Sequence, residues 1–452
     1  MKEECGIFGI VSNRPVAKHI RLALFEQQHR GQESCGIATS NGLEIYCQTR
    51  MGYVLASMTD EVIAVLPGNL GNGHVRYSTA GGSKIKNAQP FAVNTKYGPV
   101  SVAHNGTITN AEELKRDLSQ EGALFQSDSD TEAVLHLIAR SKQSTLVEAI
   151  KEALPKMTGA YCLLFLTKDS VIAARDPLGM RPLVIGKLPR NQGFVFASEE
   201  CAFRHCNAKL IGKVGHGELI IATLEGLERQ QFAPATKSCH LCVFEKVYFA
   251  RPGDEQYTSR FQSGIQLARE YSHLKADIVI GVPDSGVIAA LGFAEESKVP
   301  YRLGLTRNHY TGRSFIEPTQ AKRGIAVDLK LSPINVVIKG KVVIVIDDSQ
   351  VRGTTGKKIV RMLKKAGAKK VYLLLACPPI LHPCYHGVDI PNRNSLIAVG
   401  RNHQEIAKKI GADFVGYLSI PGLLEACGES EKVEHCTGCM NGNNYDLVQI
   451  SQ

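Results

Sequence analysis

An unbroken apolar stretch, Val342-Val-Ile-Val-Ile346, runs directly into Asp347-Asp348-Ser349-Gln350-Val351-Arg352-Gly353-Thr354-Thr355. A strand apolar on both faces has to be covered on both faces, which is the condition of a parallel sheet with helices on either side. The surroundings repeat the theme. Residues 277–282 and 371–376 read as further apolar strands, and 287–297 and 355–366 read as helices. This alternation predicts an α/β domain built on a parallel doubly wound sheet. Ligands of such sheets bind at the carboxyl edge of the strands, where residues 347–355 fall. Two adjacent acids repel phosphate, but they can accept hydrogen bonds from sugar hydroxyls or hold Mg²⁺. Gly353 permits close backbone approach, Thr354 and Thr355 add hydroxyls, and the helix that follows offers an anion site at its N-terminus. One loop thus suits a phosphorylated sugar and its metal. A second loop, Gly281-Val282-Pro283-Asp284-Ser285-Gly286, follows the neighbouring strand and is placed to reach the same crevice, although such a sequence is also ordinary turn chemistry.

The first half reads differently. Short β-rich runs at 6–11, 36–39, 100–104, 160–167, 171–175, 194–198 and 218–223 are broken by Gly, Asn and Asp, with helical periodicity only near 111–118 and 131–141. That is an α+β pattern of sheets packed face to face. The change of pattern places a boundary near 230–237. A length of 452 residues accommodates two large domains. No apolar run approaches the ~20 residues of a membrane span, and the acidic start Met1-Lys2-Glu3-Glu4 is no signal peptide, so the chain is expected in the cytoplasm. The net charge of +10 lies mostly beyond residue 240, pointing to an anionic ligand or to nucleic acid. Thirteen cysteines in a reducing compartment raise the question of metal binding or catalysis rather than of disulfides.

Cys5, in Cys5-Gly-Ile-Phe-Gly-Ile10, is close enough to the terminus that removal of residues 1–4 would make it the first residue. Its own α-amino group, with an ordinary pKa of ~7.7–8, would then be a general base for the thiol. A buried cysteine on a strand is the simpler reading of this residue alone. The segments that follow favour the nucleophile: His29-Arg30-Gly31-Gln32-Glu33, His74-Val-Arg76-Tyr77, His104-Asn105-Gly106 and Ser127-Asp-Ser-Asp130. Arg76 can hold a carboxylate two-pronged. Asp130 can pair an ammonium, and the Asn105 side chain with the Gly106 N–H can receive an oxyanion. Together they describe a glutamine gripped at both ends of its amino-acid moiety, with its amide offered to Cys5.

Five cysteines gather near the domain junction and the far end of the chain. Cys436-Thr-Gly-Cys439 and Cys239-His-Leu-Cys242 have CxxC spacing, and Cys384 lies in His382-Pro383-Cys384. Zinc, an iron–sulfur cluster, a redox dithiol and unpaired thiols all remain open on spacing alone. Cys35, Cys47, Cys162, Cys201, Cys206, Cys377 and Cys427 read as small apolar fillers.

The string 347–355 resembles the phosphoribosylpyrophosphate (PRPP) motif of type I phosphoribosyltransferases, with Gln350 in place of the usual aliphatic residue and little effect expected from it. From Cys5 to about Cys439 the chain resembles the glutamine PRPP amidotransferases, in their iron–sulfur-containing branch. The resemblance implies a short propeptide at 1–4, an N-terminal-nucleophile glutaminase domain at 5–235 folded as an αββα sandwich, and a phosphoribosyltransferase domain with a cluster-binding tail at 236–452. It implies Cys5 as nucleophile supported by Arg30, Asn105 and Gly106 as oxyanion hole, and Arg76 and Asp130 as the glutamine grip. PRPP would be held by Lys330, Asp347, Asp348, Ser349, Arg352, Gly353, Thr354 and Thr355, and Mg²⁺ by Ser285, Asp347 and Asp348. A 4Fe-4S cluster would be ligated by Cys242, Cys384, Cys436 and Cys439. Residues 307–323 would be a loop that closes over PRPP and helps carry ammonia between the sites. The implied product is 5-phosphoribosylamine, in purine biosynthesis. Purine nucleotides would inhibit by feedback, and the assembly would be a homotetramer. Asp328 stands where relatives usually carry a basic residue. The PRPP motif argues against amidotransferases such as glucosamine-6-phosphate synthase and asparagine synthetase. A PRPP-sensing regulator or an inactive paralogue on the same fold would leave a complete glutaminase constellation without purpose. The basic second half is then no nucleic-acid footprint. It surrounds a polyanionic sugar and includes a solvated lysine-rich helix at 356–370.

Overall fold

The computed structural model describes residues 5–77, 82–234, 239–308, 331–384, 386–388, 390, 392–428 and 433–443. The expectations for residues 1–4, for the loop beyond 308, and for Asp328 and Lys330 fall outside this set.

The first half is a pair of stacked antiparallel sheets. One has seven strands, with Gly6–Ser12 between Gly193–Ala197 and Leu70–Arg76. The other has six, with Gly98–Ile108 and Gly159–Leu166 side by side. The period of two is visible in the packing. Along Gly6–Ser12, Ile7 and Val11 enter the core between the sheets, whereas Phe8 and Ile10 pack on the outer side with Ile20 and Leu24 of the helix Ala17–Glu26. The second sheet packs its outer face against the helices Thr131–Arg140 and Leu146–Ala153 through Val134, Ile138 and Ile150. Four layers result, helix, sheet, sheet, helix: the expected αββα sandwich.

The second half is built on four parallel strands in the order Ile278–Gly281, Val342–Asp347, Lys370–Leu375 and Phe414–Tyr417. Val343 and Val345 join one core and Ile344 and Ile346 the other, so both faces are covered as the sequence requires. The helix Thr354–Lys365 buries Ile359, Val360 and Leu363 and places Lys364 and Lys365 in its last turn, where the helix dipole favours them.

The sequence pattern misses several elements, among them the 17-residue helix Asp254–Glu270. Its buried face is Ser259, Arg260, Ser263, Gly264, Ile265, Leu267 and Ala268, not an apolar stripe. It packs against the helix Val287–Ser297 through two glycines. A Cβ on Gly264 would stand 1.9 Å from the Ala289 carbonyl oxygen, and one on Gly292 would stand 2.0 Å from that of Phe261. Also unforeseen is a small parallel pairing of Cys239–Cys242 with Val433–Cys436, which brings the end of the described chain back to the junction.

Candidate active site

Cys5 lies at the mouth of the first sheet. Its Sγ is 3.4 Å from the Tyr77 carbonyl oxygen and receives the Tyr77 N–H at 3.5 Å. Arg76, one residue earlier, is buried; it donates to the Gly82 carbonyl at 2.9 Å and stands 3.9 Å from Glu33. The 29–33 loop fits here because residue 31 is glycine: a Cβ would come within 2.6 Å of the Val75 backbone. Arg30, fully buried, donates through Nε to the Cys5 carbonyl at 3.0 Å.

The expected oxyanion donors lie on the strand Gly98–Ile108 of the facing sheet. Gly106 has φ +141°, and a Cβ there would stand 2.0 Å from the Ala160 carbonyl oxygen, so no other residue fits. Asn105 Nδ2 donates to Ser198 Oγ at 3.4 Å, and that hydroxyl accepts the Ile7 N–H at 3.1 Å, which ties Asn105 to the strand that follows Cys5. Asp130 accepts the Ile108 N–H at 2.9 Å, with Thr131 Oγ1 at 3.3 Å and His104 Nδ1 at 3.7 Å. Burial pushes its carboxyl up, but the His104 charge and these hydrogen bonds outweigh burial and bring it down to about 2. His74 is held neutral by burial and by the Arg76 charge, down to about 3.

The phosphate-loop residues gather at the carboxyl edge of the parallel sheet. Asp347 and Asp348 are buried neighbours; the Asp348 N–H donates to Asp347 Oδ1 at 3.0 Å. Ser349 Oγ donates to Asp348 Oδ1 at 2.9 Å, and Ser285, from the second loop, also hydrogen-bonds Asp348. Both carboxyls are pushed up by burial, Asp347 further by the Asp348 charge. Gly353, at φ +75°, turns the chain into the helix Thr354–Lys365, and Arg352, Thr354 and Thr355 are exposed at its start. A buried acid pair held above its ordinary range fits a divalent cation. Gln350 is buried under the loop and accepts the Tyr417 hydroxyl at 2.6 Å.

Cys242, Cys384, Cys436 and Cys439, expected as cluster ligands, lie near one another. Cys242 is the register partner of Cys436, and the Cys439 carbonyl accepts the N–H groups of Leu381 and His382 at 2.9 and 3.0 Å, beside Cys384. The Cys439 thiol is pushed up by burial and then by Cys384, Cys242, Cys377 and Cys436. Among the described residues, no three histidine, cysteine or acidic side chains are set to hold a metal ion. Soft thiol donors would suit zinc or an iron–sulfur cluster. Cys239 stands apart, donating to the Gly179 carbonyl at 3.3 Å, with Arg175 Nη2 at 3.5 Å.

Three residues escape sequence reasoning. Glu199 and Glu245 both grip Arg30, at 2.7 Å and at 2.8–2.9 Å. Burial raises Glu199, but His29 and Arg30 outweigh it and bring it down to about 2. Tyr248 is partly buried, and its hydroxyl is pushed up by desolvation and then by Asp348, Asp347 and Tyr77. It lies within electrostatic reach of both the acid pair and Tyr77, whose backbone touches the Cys5 thiol. Glu245 and Tyr248 share one turn, Glu245–Phe249. Their roles rest on contacts hundreds of residues apart, which no spacing rule reads.

An N-terminal-nucleophile sandwich with a cysteine at its mouth, joined to a parallel sheet with a phosphate loop, defines a two-domain glutamine amidotransferase that acts on a phosphorylated sugar. Residues 74–205 match the family model for a glutamine amidotransferase domain. The amidophosphoribosyltransferase of Methanocaldococcus jannaschii is 44% identical over 461 residues, covering 97% of each chain. That of Bacillus subtilis is 40% identical, over 97% of this chain and 93% of the relative. The solved glutamine PRPP amidotransferase of B. subtilis complexed with ADP and GMP superposes with a TM-score of 0.91 at 38% identity, over 98% of both chains. The chain belongs to the amidophosphoribosyltransferase family. It is an enzyme of purine biosynthesis that uses glutamine to aminate PRPP.

Proposed function

We propose that the reaction is divided between two sites in one chain, with the boundary between its domains at 235/236. At the first, Arg76 and Asp130 hold glutamine and the Cys5 thiol attacks the amide carbon. The free α-amino group, exposed by loss of residues 1–4, takes the thiol proton. Asn105 and Gly106 receive the oxyanion, ammonia leaves, and water releases glutamate from the thioester. At the second, Ser349, Arg352, Gly353, Thr354, Thr355 and Lys330 bind PRPP, and ammonia attacks its anomeric carbon. Asp347, Asp348 and Ser285 would hold Mg²⁺, which stabilises departing pyrophosphate when bound. Ammonia has to pass internally, since in bulk water at pH 7 it protonates and ceases to be a nucleophile. A closing loop at 307–323 would keep water from hydrolysing PRPP.

The observation that carries this reading is Cys5 at the mouth of the sandwich, with its thiol on Tyr77 next to Arg76 and its carbonyl on Arg30. Cys5→Ala should abolish glutamine-dependent product formation and leave ammonia-dependent formation intact; loss of both would contradict the division. Cys242, Cys384, Cys436 and Cys439 are the proposed ligands of a 4Fe-4S cluster that ties the tail to the junction. Four thiols from three separate segments meeting in one place support it. Anaerobically purified protein should contain iron and acid-labile sulfide, and stoichiometric zinc in their place would overturn the assignment. A cytoplasmic homotetramer inhibited by purine nucleotides completes the proposal. Among the described residues no helix is long and apolar enough to cross a membrane.

A further inference from the structure

We propose that Glu245, supplied by the second half of the chain, is a positioning residue for the nucleophile in the first. The inference rests on Cys5 being that nucleophile. Among the contacts that hold Cys5 are Tyr77 on its thiol and Arg30 Nε on its carbonyl. The Arg30 contact is only as fixed as the guanidinium plane. Glu245 takes that plane two-pronged, Oε2 accepting Nη1 at 2.9 Å and Oε1 accepting Nη2 at 2.8 Å. Glu199 shares Nη1 at 2.7 Å and also accepts the Arg251 N–H at 2.9 Å. Arg30 and Glu245 are both almost fully buried, at 1% and 2% exposure, so water cannot replace a lost partner. A two-pronged pair between planar groups sets orientation as well as distance.

The clamp is anchored. Glu245 opens the turn Glu245–Phe249, whose Val247 and Phe249 belong to the core of the second half. Arg260 secures that turn from the helix Asp254–Glu270, donating to the carbonyls of Lys246 at 2.9 Å and Ala250 at 2.8 Å. The far side of the junction thus sets where the Cys5 carbonyl sits, and through it where the thiol points. A misplacement of about 1 Å at a reacting atom is enough to cost ~100-fold in rate.

The test is Glu245→Gln in the full chain with PRPP and Mg²⁺, the change removing the charge and one prong while keeping the size. The glutamine-dependent kcat should fall ~10- to 100-fold, with KM for glutamine within about twofold and ammonia-dependent turnover unchanged. Alkylation of Cys5 by iodoacetamide should slow in step, and Glu245→Asp, which keeps the charge on a shorter arm, should recover part of the loss. Should Glu245→Gln fail to fold, Glu245→Asp carries the same test with a smaller loss of the same kind. An unchanged glutamine-dependent kcat, a parallel fall in ammonia-dependent turnover, or a rise in KM alone would overturn the proposal. Cys5→Ala run alongside separates the two failures. If it retains glutamine-dependent turnover, the nucleophile is misassigned. If it loses that turnover while Glu245→Gln matches wild type, only the clamp is wrong.

Discussion

Each half of the molecule buries two carboxylates near its site, and the pairs are handled in opposite ways. In the first half, Asp130 and Glu199 sit among basic side chains and hydrogen-bond donors: His104 and the Ile108 N–H for one, His29, Arg30 and the Arg251 N–H for the other. Burial penalises both, the partners more than compensate, and both carboxyls fall to about 2. In the second half, Asp347 and Asp348 sit next to each other, aided by serines and at a distance by Arg260, and both are pushed up by burial. The first pair is balanced by the fold. The second is left for something the fold does not supply, which is what a site for a metal-bound sugar pyrophosphate requires. A chain selected for stability alone would have no reason to keep the second arrangement.

The sharpest way to break this contrast is Asp347→Asn. It should cut PRPP-dependent turnover by at least about a hundredfold, with either nitrogen source, because a proposed metal and ribose ligand is lost. It should also stabilise the unliganded protein by about 1–2 kcal/mol at pH 7, measured by denaturant unfolding, since one of two buried like charges is gone. An acid whose folded pKa is raised contributes stability below its unfolded pKa of ~3.9, and that contribution is lost as pH rises. The stabilising effect of Asp347→Asn should therefore shrink towards zero as pH is lowered to about 4. A variant that destabilises at pH 7 would show that the acid pair is structural.

The first pair makes the opposite prediction. Carboxyls lowered to about 2 contribute stability that is complete above their unfolded pKa of ~4 and is lost as pH falls through the folded values. Two such groups amount to a few kcal/mol, about 2–3 each. Wild-type protein should lose this stability between about pH 5 and pH 2. Asp130→Asn should be less stable than wild type at pH 7 and flatten the acid limb of the curve. An acid limb unchanged by that substitution would remove Asp130 from the account.

The contrast also marks what could be read in advance. The parallel sheet was legible because its strands are apolar on both faces and end in an acid-rich turn, so periodicity and punctuation agree at 342–355. Seven strands of the sandwich were legible on different ground, as short β-rich runs broken by Gly, Asn and Asp. The helix Asp254–Glu270 was not, because it buries serines, an arginine and a glycine and approaches its neighbour backbone to backbone, which leaves no apolar stripe to detect. The local parts of the site, Asn105-Gly106 and Asp347-Asp348, follow from side-chain chemistry at fixed spacing. Glu199 and Glu245 do not: they stand 169 and 215 residues from Arg30, and only the fold makes them its partners. Gln350 has its partner in Tyr417, a residue that a local motif does not contain, so this contact too is legible only in the fold.

The central claim is that the two sites perform separate halves of one reaction, and reciprocal variants measured side by side test it most directly. Glutamate release without PRPP and ammonia-dependent pyrophosphate release from PRPP would be followed in Cys5→Ala and in Asp347→Asn. Cys5→Ala should lose the first and keep the second, and Asp347→Asn should keep the first and lose the second. Either variant losing both activities, with its fold intact, would contradict the division.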